Sequence, residues 1–201
     1  MGSRPVLDVL VETNWILDVA LQQDDASVEL FRQSQARRAR LHLPTFCVAE
    51  AVKSVETKQN DLKRLINDQL PRLQRELSRS PSTRDTGAPI EQLIDALARA
   101  HDAITTQFWL ILRDIVATTA LIPPRPETIE LTAAIQDLLN LSPGDASVLA
   151  TAILSCRDDV CRVFMSRDGD FSDEVVKDYM AREGLTFYPN AESIVGPLRR
   201  E

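Results

Sequence analysis

Towards the C-terminus the run Cys161-Arg162-Val163-Phe164-Met165 stops abruptly at Ser166-Arg167-Asp168-Gly169-Asp170-Phe171, and Ser172-Asp173-Glu174 then opens a helical pattern. A short apolar run bounded by turn residues fits a strand buried on both faces of a parallel sheet. It leaves two carboxylates at the C-terminal end of that strand, the edge where open parallel sheets gather ligands. Taken alone, Asp168 and Asp170 are equally well explained as turn formers. The stretch nevertheless commits the chain to supplying neighbouring strands and the helices that cross between them.

Those elements are present in order. Pro5 to Val11 is a second apolar, β-branched run, ending at Glu12-Thr13-Asn14. Trp15 to Leu21 follows as a short helix capped by Thr13 or Asn14. A helix is expected from Asp25 to about Ala36, a short strand at Leu41-His42-Leu43, and a helix starting at Pro44-Thr45 with Glu50 in its second turn. From there to about Leu121 the pattern is helical throughout. Leu62, Leu65, Ile66, Leu70, Leu73 and Leu77 form one stripe and Ile90 to Ile115 another, with Pro71 a kink or restart and 78–89 a loop.

Ile122-Pro123-Pro124-Arg125-Pro126 is a rigid connector, and Thr128 to Leu141 is a further helix. Ser142-Pro143-Gly144-Asp145 opens the next one, with Ser142 as cap and Pro143 at the first helical position. A helix from Ser172 to about Glu183, a strand at Leu185 to Tyr188 and a polar tail complete the chain. Strands alternating with helices imply a parallel sheet with right-handed crossovers. The expected architecture is an α/β chain built around a parallel sheet, a single domain over 1–201, with an inserted helical hairpin at about 59–121.

The 201 residues suffice for one domain with an embellishment. No apolar run reaches the roughly 20 residues that span a bilayer. No basic stretch followed by an apolar core marks a secretory signal, so a cytoplasmic protein without membrane partners is expected. Cys47, Cys156 and Cys161 are three in number with no paired spacing, which fits reduced, buried thiols rather than a zinc site. The net charge of −7 excludes a generic polyanion binder, so any nucleic-acid contact needs a local basic patch.

Several acids can meet at one sheet edge: Glu12 ending the first strand, Glu50 early in the helix after the second, Asp145 in a first helical turn, and Asp168 with Asp170. Singly, Asp145 is a helix-dipole partner and Glu12 a cap. Together they repel and call for cations. Oxygen donors without His or Cys select Mg²⁺ or Mn²⁺, and such centres favour phosphodiester hydrolysis.

The segments Val9-Leu10-Val11-Glu12-Thr13-Asn14, Leu43-Pro44-Thr45-Phe46-Cys47-Val48-Ala49-Glu50, Leu141-Ser142-Pro143-Gly144-Asp145-Ala146 and Val163 to Phe171 resemble PIN-domain nucleases over roughly 1–56 and 125–190, leaving the middle helices uncovered. The resemblance implies a Rossmann-like three-layer α/β/α sandwich with a central parallel sheet, and a Mg²⁺- or Mn²⁺-dependent endoribonuclease. It places Glu12, Glu50, Asp145 and Asp168 as the four catalytic, metal-binding acids and Asp170 as an auxiliary ligand. Thr13, Asn14, Ser166 and Arg167 become substrate-side residues. Glu12 stands where the family ordinarily has Asp, a departure that keeps a second reading open: a PIN-like RNA-binding or protein-interaction module without catalysis. A phosphohydrolase with a nucleophilic Asp ranks last, because its nucleophile belongs where Glu12 stands.

Eight basic residues from Lys53 to Arg84 (Lys53, Lys58, Lys63, Arg64, Arg72, Arg75, Arg79 and Arg84) face four acidic ones, which suits either an RNA-holding arm or an ordinary solvated helix face. With 5% aromatic residues, a base-stacking platform is not expected. His42 and His101 are isolated in sequence. RNA is the expected substrate; a homodimer and a protein inhibitor or antitoxin are further partners the family admits.

Overall fold

A computed structural model of the chain describes residues 6–79, 83 and 87–199. The start of the first expected strand at Pro5, much of the expected loop at 78–89, Arg84 of the basic run, and the last two residues lie outside the described residues.

Five parallel strands make one sheet in the order β3-β2-β1-β4-β5. They are β1 (Leu7–Leu10), β2 (Ala39–Pro44), β3 (Ala120–Ile122), β4 (Val163–Met165) and β5 (Thr186–Tyr188). Helices flank the sheet, as the alternation of apolar runs and helical stripes predicts. β1 is central: Leu7↔Ala39 through Leu10↔His42 fix it to β2, and Val9↔Val163 and Leu10↔Phe164 fix it to β4. Strand order reverses direction between β1 and β4. That is the switch point at which doubly wound sheets open a crevice at their strand C-termini.

The connecting helices are α1 (Thr13–Ala20), α2 (Asp25–Gln35), α3 (Thr45–Arg64), α4 (Leu70–Ser78), α5 (Gly87–Thr118), α6 (Pro126–Leu139), α7 (Pro143–Arg157), α8 (Glu174–Arg182) and α9 (Glu192–Arg199). A π-helical turn, Leu65–Gln69, precedes α4, with Pro71 in α4's first turn. Proline has no N–H to give and its ring crowds the carbonyl four residues back, so one widened turn absorbs it before the helix restarts. None of the helices among the described residues is long and apolar enough to cross a membrane.

The chain divides into two compact units, residues up to Ala51 with those from Ile111 onward, and Val52–Leu110. In the first, Val9, Leu10, Val11, Ile16, Leu41, Leu43, Leu149 and Phe164 are buried between sheet and helices. The second is helical; Val55, Ile66 and Phe108 are its buried apolar residues, and Gln59 Nε2 donates to Thr105 Oγ1 at 2.9 Å between α3 and α5.

Two elements depart from the sequence expectation. Ala120-Leu121-Ile122, expected as helix end and connector, is an edge strand paired with His42, Leu43 and Pro44 of β2. Its three residues follow α5 almost directly, with no Gly or Pro to mark the change, and cross-strand pairing overrides the helical preference of Ala and Leu. The expected polar tail contains α9, whose start is capped by Asn190 Oδ1 accepting from Ser193 N at 3.0 Å.

Candidate active site

Each expected acid is placed by the element it begins or ends. Glu12 lies two residues beyond the end of β1 and caps α1: its Oε2 accepts from the Asn14 N–H at 2.6 Å. Extending the β1–β4 register by two residues brings Glu12 opposite Ser166, and the Ser166 hydroxyl donates to Glu12 Oε1 at 3.2 Å. Ser166 is fully buried, and its oxygen also accepts from the Asp168 N–H at 3.0 Å. Asp168 Oδ1 in turn accepts from Asp170 N at 3.0 Å, capping a 3₁₀ turn, Gly169–Ser172. A chain of hydrogen bonds thus runs from α1 through Glu12 and Ser166 to Asp168 and Asp170.

Phe171 anchors that turn. Its ring meets Phe164 edge-on at 5.0 Å, and Phe164 also touches Phe187 of β5 at 5.9 Å. The apolar residue after the two acids is therefore what pins them to the sheet edge.

The second pair of acids arrives from the other side. α3 begins where β2 ends, so Glu50 is little more than a turn from the sheet edge, and Thr13 Oγ1 donates to Glu50 Oε2 at 2.5 Å. α7 is capped by Ser142, whose Oγ accepts from Asp145 N at 3.2 Å and donates to Asp145 Oδ2 at 2.5 Å. A Cβ built on Gly144 would lie 3.8 Å from Glu50 Oε1, which puts the Glu50 carboxylate against the first turn of α7. There the helix's free N–H groups favour negative charge.

Electrostatics ties the two pairs together. Burial pushes the Glu12 carboxyl up from its ordinary 4.5 to about 7, against the hydrogen bonds from Asn14 and Ser166, and the charges of Asp168 and Glu50 add to the rise. Asp145 is raised chiefly by burial, with Asp168, Asp170 and Glu50 contributing and Ser142 opposing. Burial holds the Cys47 thiol up at about 12, with Glu12 and Glu50 reinforcing it, so this cysteine is no nucleophile. Glu12 and Asp145 accordingly each lie within the field of Asp168 and Glu50, and Asp145 within that of Asp170 as well.

They do not form a closed ligand cage. Among the described residues no three Asp, Glu, His or Cys side chains stand close enough to hold one ion between them. Both Glu12 oxygens are already engaged by the protein. Mg²⁺ keeps several waters and takes only one or two carboxylates, so the donor set suits a hydrated hard cation on Glu50, Asp145 or Asp168. It does not suit a tetrahedral metal.

The scan against protein-family models and the search of curated proteins give no match. Among solved structures, the chain is similar to a chain of VapBC2 from Rickettsia felis, solved bound to a DNA fragment from their promoter. The two are 9% identical, with a TM-score of 0.46 over 90% of this chain and 98% of that one. A likeness of this size bears on neither residues nor activity.

The residues expected on the substrate side are placed unevenly. Thr13 and Ser166 stand among the acids, and Asn14 contributes its backbone N–H. Arg167 turns away from them: its Nη1 lies 3.1 Å from Asp18 Oδ2 and 4.0 Å from Asp24 Oδ1. Asp18 went unremarked in the sequence, although a lone acid in Trp15-Ile16-Leu17-Asp18-Val19-Ala20 is a signal that something must pair with it. His42 is not isolated. It is buried, with Nε2 2.7 Å from Asp8 Oδ1, and Arg40 Nη1 stands 3.6 Å from the same oxygen. The described basic residues from Lys53 to Arg79 are all exposed, and Arg72 pairs with Glu76 at 3.2 Å.

Proposed function

We propose that the protein is a divalent-metal-dependent endoribonuclease whose reaction centre is the cluster of Glu12, Glu50, Asp145, Asp168 and Asp170. One observation carries this reading: at the switch point of a doubly wound sheet, the Glu12 and Asp145 carboxyls are both raised, chiefly by burial, with the charges of Asp168 and Glu50 adding to each. A bound Mg²⁺ or Mn²⁺ would activate water and neutralise charge on the scissile phosphate. The chain's own groups would do the rest. Glu50, Asp145 and Asp168 offer carboxylate oxygens, with Asp170 as an outer ligand. Thr13 orients Glu50, and Ser142 orients Asp145. Glu12, with its carboxyl near 7, lies where a carboxyl can both take and give up a proton at neutral pH. RNA is the substrate class proposed, and a homodimer or an inhibitory protein partner belongs to the same proposal.

A second reading is favoured by a specific feature. Glu12 spends both oxygens on Asn14 and Ser166, which suits a PIN-like module that binds RNA or protein without cutting. Incubating a mixed RNA pool with the folded protein and Mn²⁺ separates the two. The nuclease reading expects cleavage that falls at least about 10²-fold in Asp168→Asn. Absence of cleavage under Mn²⁺ and Mg²⁺ by well-folded wild-type protein would leave the binding module.

A further inference from the structure

The turn that presents Asp168 and Asp170 is held on one side by Phe171, which packs on Phe164. Its other side begins at Arg167, whose half-exposed side chain runs away from the carboxylate cluster and back to α1. There Arg167 Nη1 lies 3.1 Å from Asp18 Oδ2, with Asp24 Oδ1 at 4.0 Å. Asp18 is 3% exposed. Asp24 is itself fixed, because its Oδ2 caps α2 by accepting from Ser27 N at 2.8 Å. α1 is the helix that Glu12 caps and Thr13 begins. The ion pair therefore joins the helix bearing one half of the carboxylate cluster to the turn bearing the other half.

We propose that Asp18 and Asp24 hold Arg167 as a brace that sets the position of Asp168 and Asp170 relative to Glu12 and Thr13. Asp18 and Arg167 are then positioning residues, acting through the turn. The proposal rests on the nuclease reading for its functional meaning, and on the geometry alone for the brace. Two acids on one guanidinium leave it little attraction for phosphate, so the brace replaces the substrate contact expected of Arg167. The buried position of Asp18 makes the pair unequal. Deleting Arg167 strands a desolvated charge, whereas neutralising Asp18 frees a cation that is already 45% exposed. Arg167→Gln therefore harms folding more than Asp18→Asn, and Asp18→Asn is the cleaner probe.

The test measures amide hydrogen exchange by NMR and Mn²⁺ affinity by calorimetry on the full chain, for wild type, Asp18→Asn, Arg167→Gln and Arg167→Lys. The brace predicts faster exchange at Asp168 and Asp170, whose N–H groups bond to Ser166 and Asp168, with the β1 and β5 amides keeping wild-type protection. It also predicts Mn²⁺ affinity roughly tenfold weaker in Asp18→Asn and largely restored in Arg167→Lys relative to Arg167→Gln. Uniformly faster exchange across the sheet with unchanged Mn²⁺ affinity would mean ordinary stabilisation, and would overturn the proposal. So would unchanged exchange at the turn in folded Asp18→Asn. Binding of a single-stranded RNA in EDTA supplies the third arm. A salt slope reduced by about one in Arg167→Gln would mean a phosphate contact rather than a brace. If wild type binds no Mn²⁺ yet the turn amides respond as predicted, the brace stands and the metal reading falls.

Discussion

Glu12, just past β1, carries a carboxyl one methylene longer than the Asp that the resemblance implies there, and the structure uses that length. One oxygen reaches forward to the Asn14 N–H while the other accepts from the Ser166 hydroxyl across the strand pair. Its burial, with like charges on Asp168 and Glu50, has a thermodynamic signature. Between 4.5 and about 7 the unfolded chain has released a proton that the folded chain keeps. The contribution of Glu12 to stability is therefore fully present below about 4.5 and is lost as pH rises through about 7, on the order of 3 kcal/mol. Urea unfolding at pH 5 and pH 8 reads this directly. Wild type should be less stable at pH 8, and Glu12→Gln should remove most of the difference while still accepting from Asn14. A pH difference of full size in Glu12→Gln would assign the effect to another group.

At the scale of elements, the site is built from helix starts and strand ends: α1 capped by Glu12, α7 by Ser142, and the 3₁₀ turn by Asp168. Replacing Ser142 with Ala should cost about 1 kcal/mol through loss of the cap, measured as a lower urea midpoint. Cation affinity should change as well, since the same hydroxyl donates to Asp145. The caps explain why so much could be read from the sequence. Ser142-Pro143-Gly144-Asp145 and Ser166 to Phe171 carry local signals of backbone chemistry, and the sheet follows from the apolar runs before them. What escaped was set by distant partners. β3 forms because β2 offers an edge to Ala120-Leu121-Ile122. Asp18 finds Arg167 across 149 positions of chain, and His42 finds Asp8 on the neighbouring strand. No local pattern encodes such pairings.

For the whole molecule, the net charge of −7 sets the terms on which any polyanion approaches. An acid-lined crevice in an acidic protein repels phosphate unless cations screen or fill it, so under the nuclease reading RNA binding and metal binding are one coupled event. Under that reading Glu50, Asp145 and Asp168 offer hydrated cations a shared site beside Glu12, despite their separation along the chain. The most direct measurement is anomalous X-ray diffraction from crystals soaked in Mn²⁺. The account predicts one or two manganese peaks within coordination distance of Asp168 and of Glu50 or Asp145, absent in Asp168→Asn crystals. Manganese bound only at other surfaces, with these carboxylates free of metal in a well-occupied soak, would contradict it.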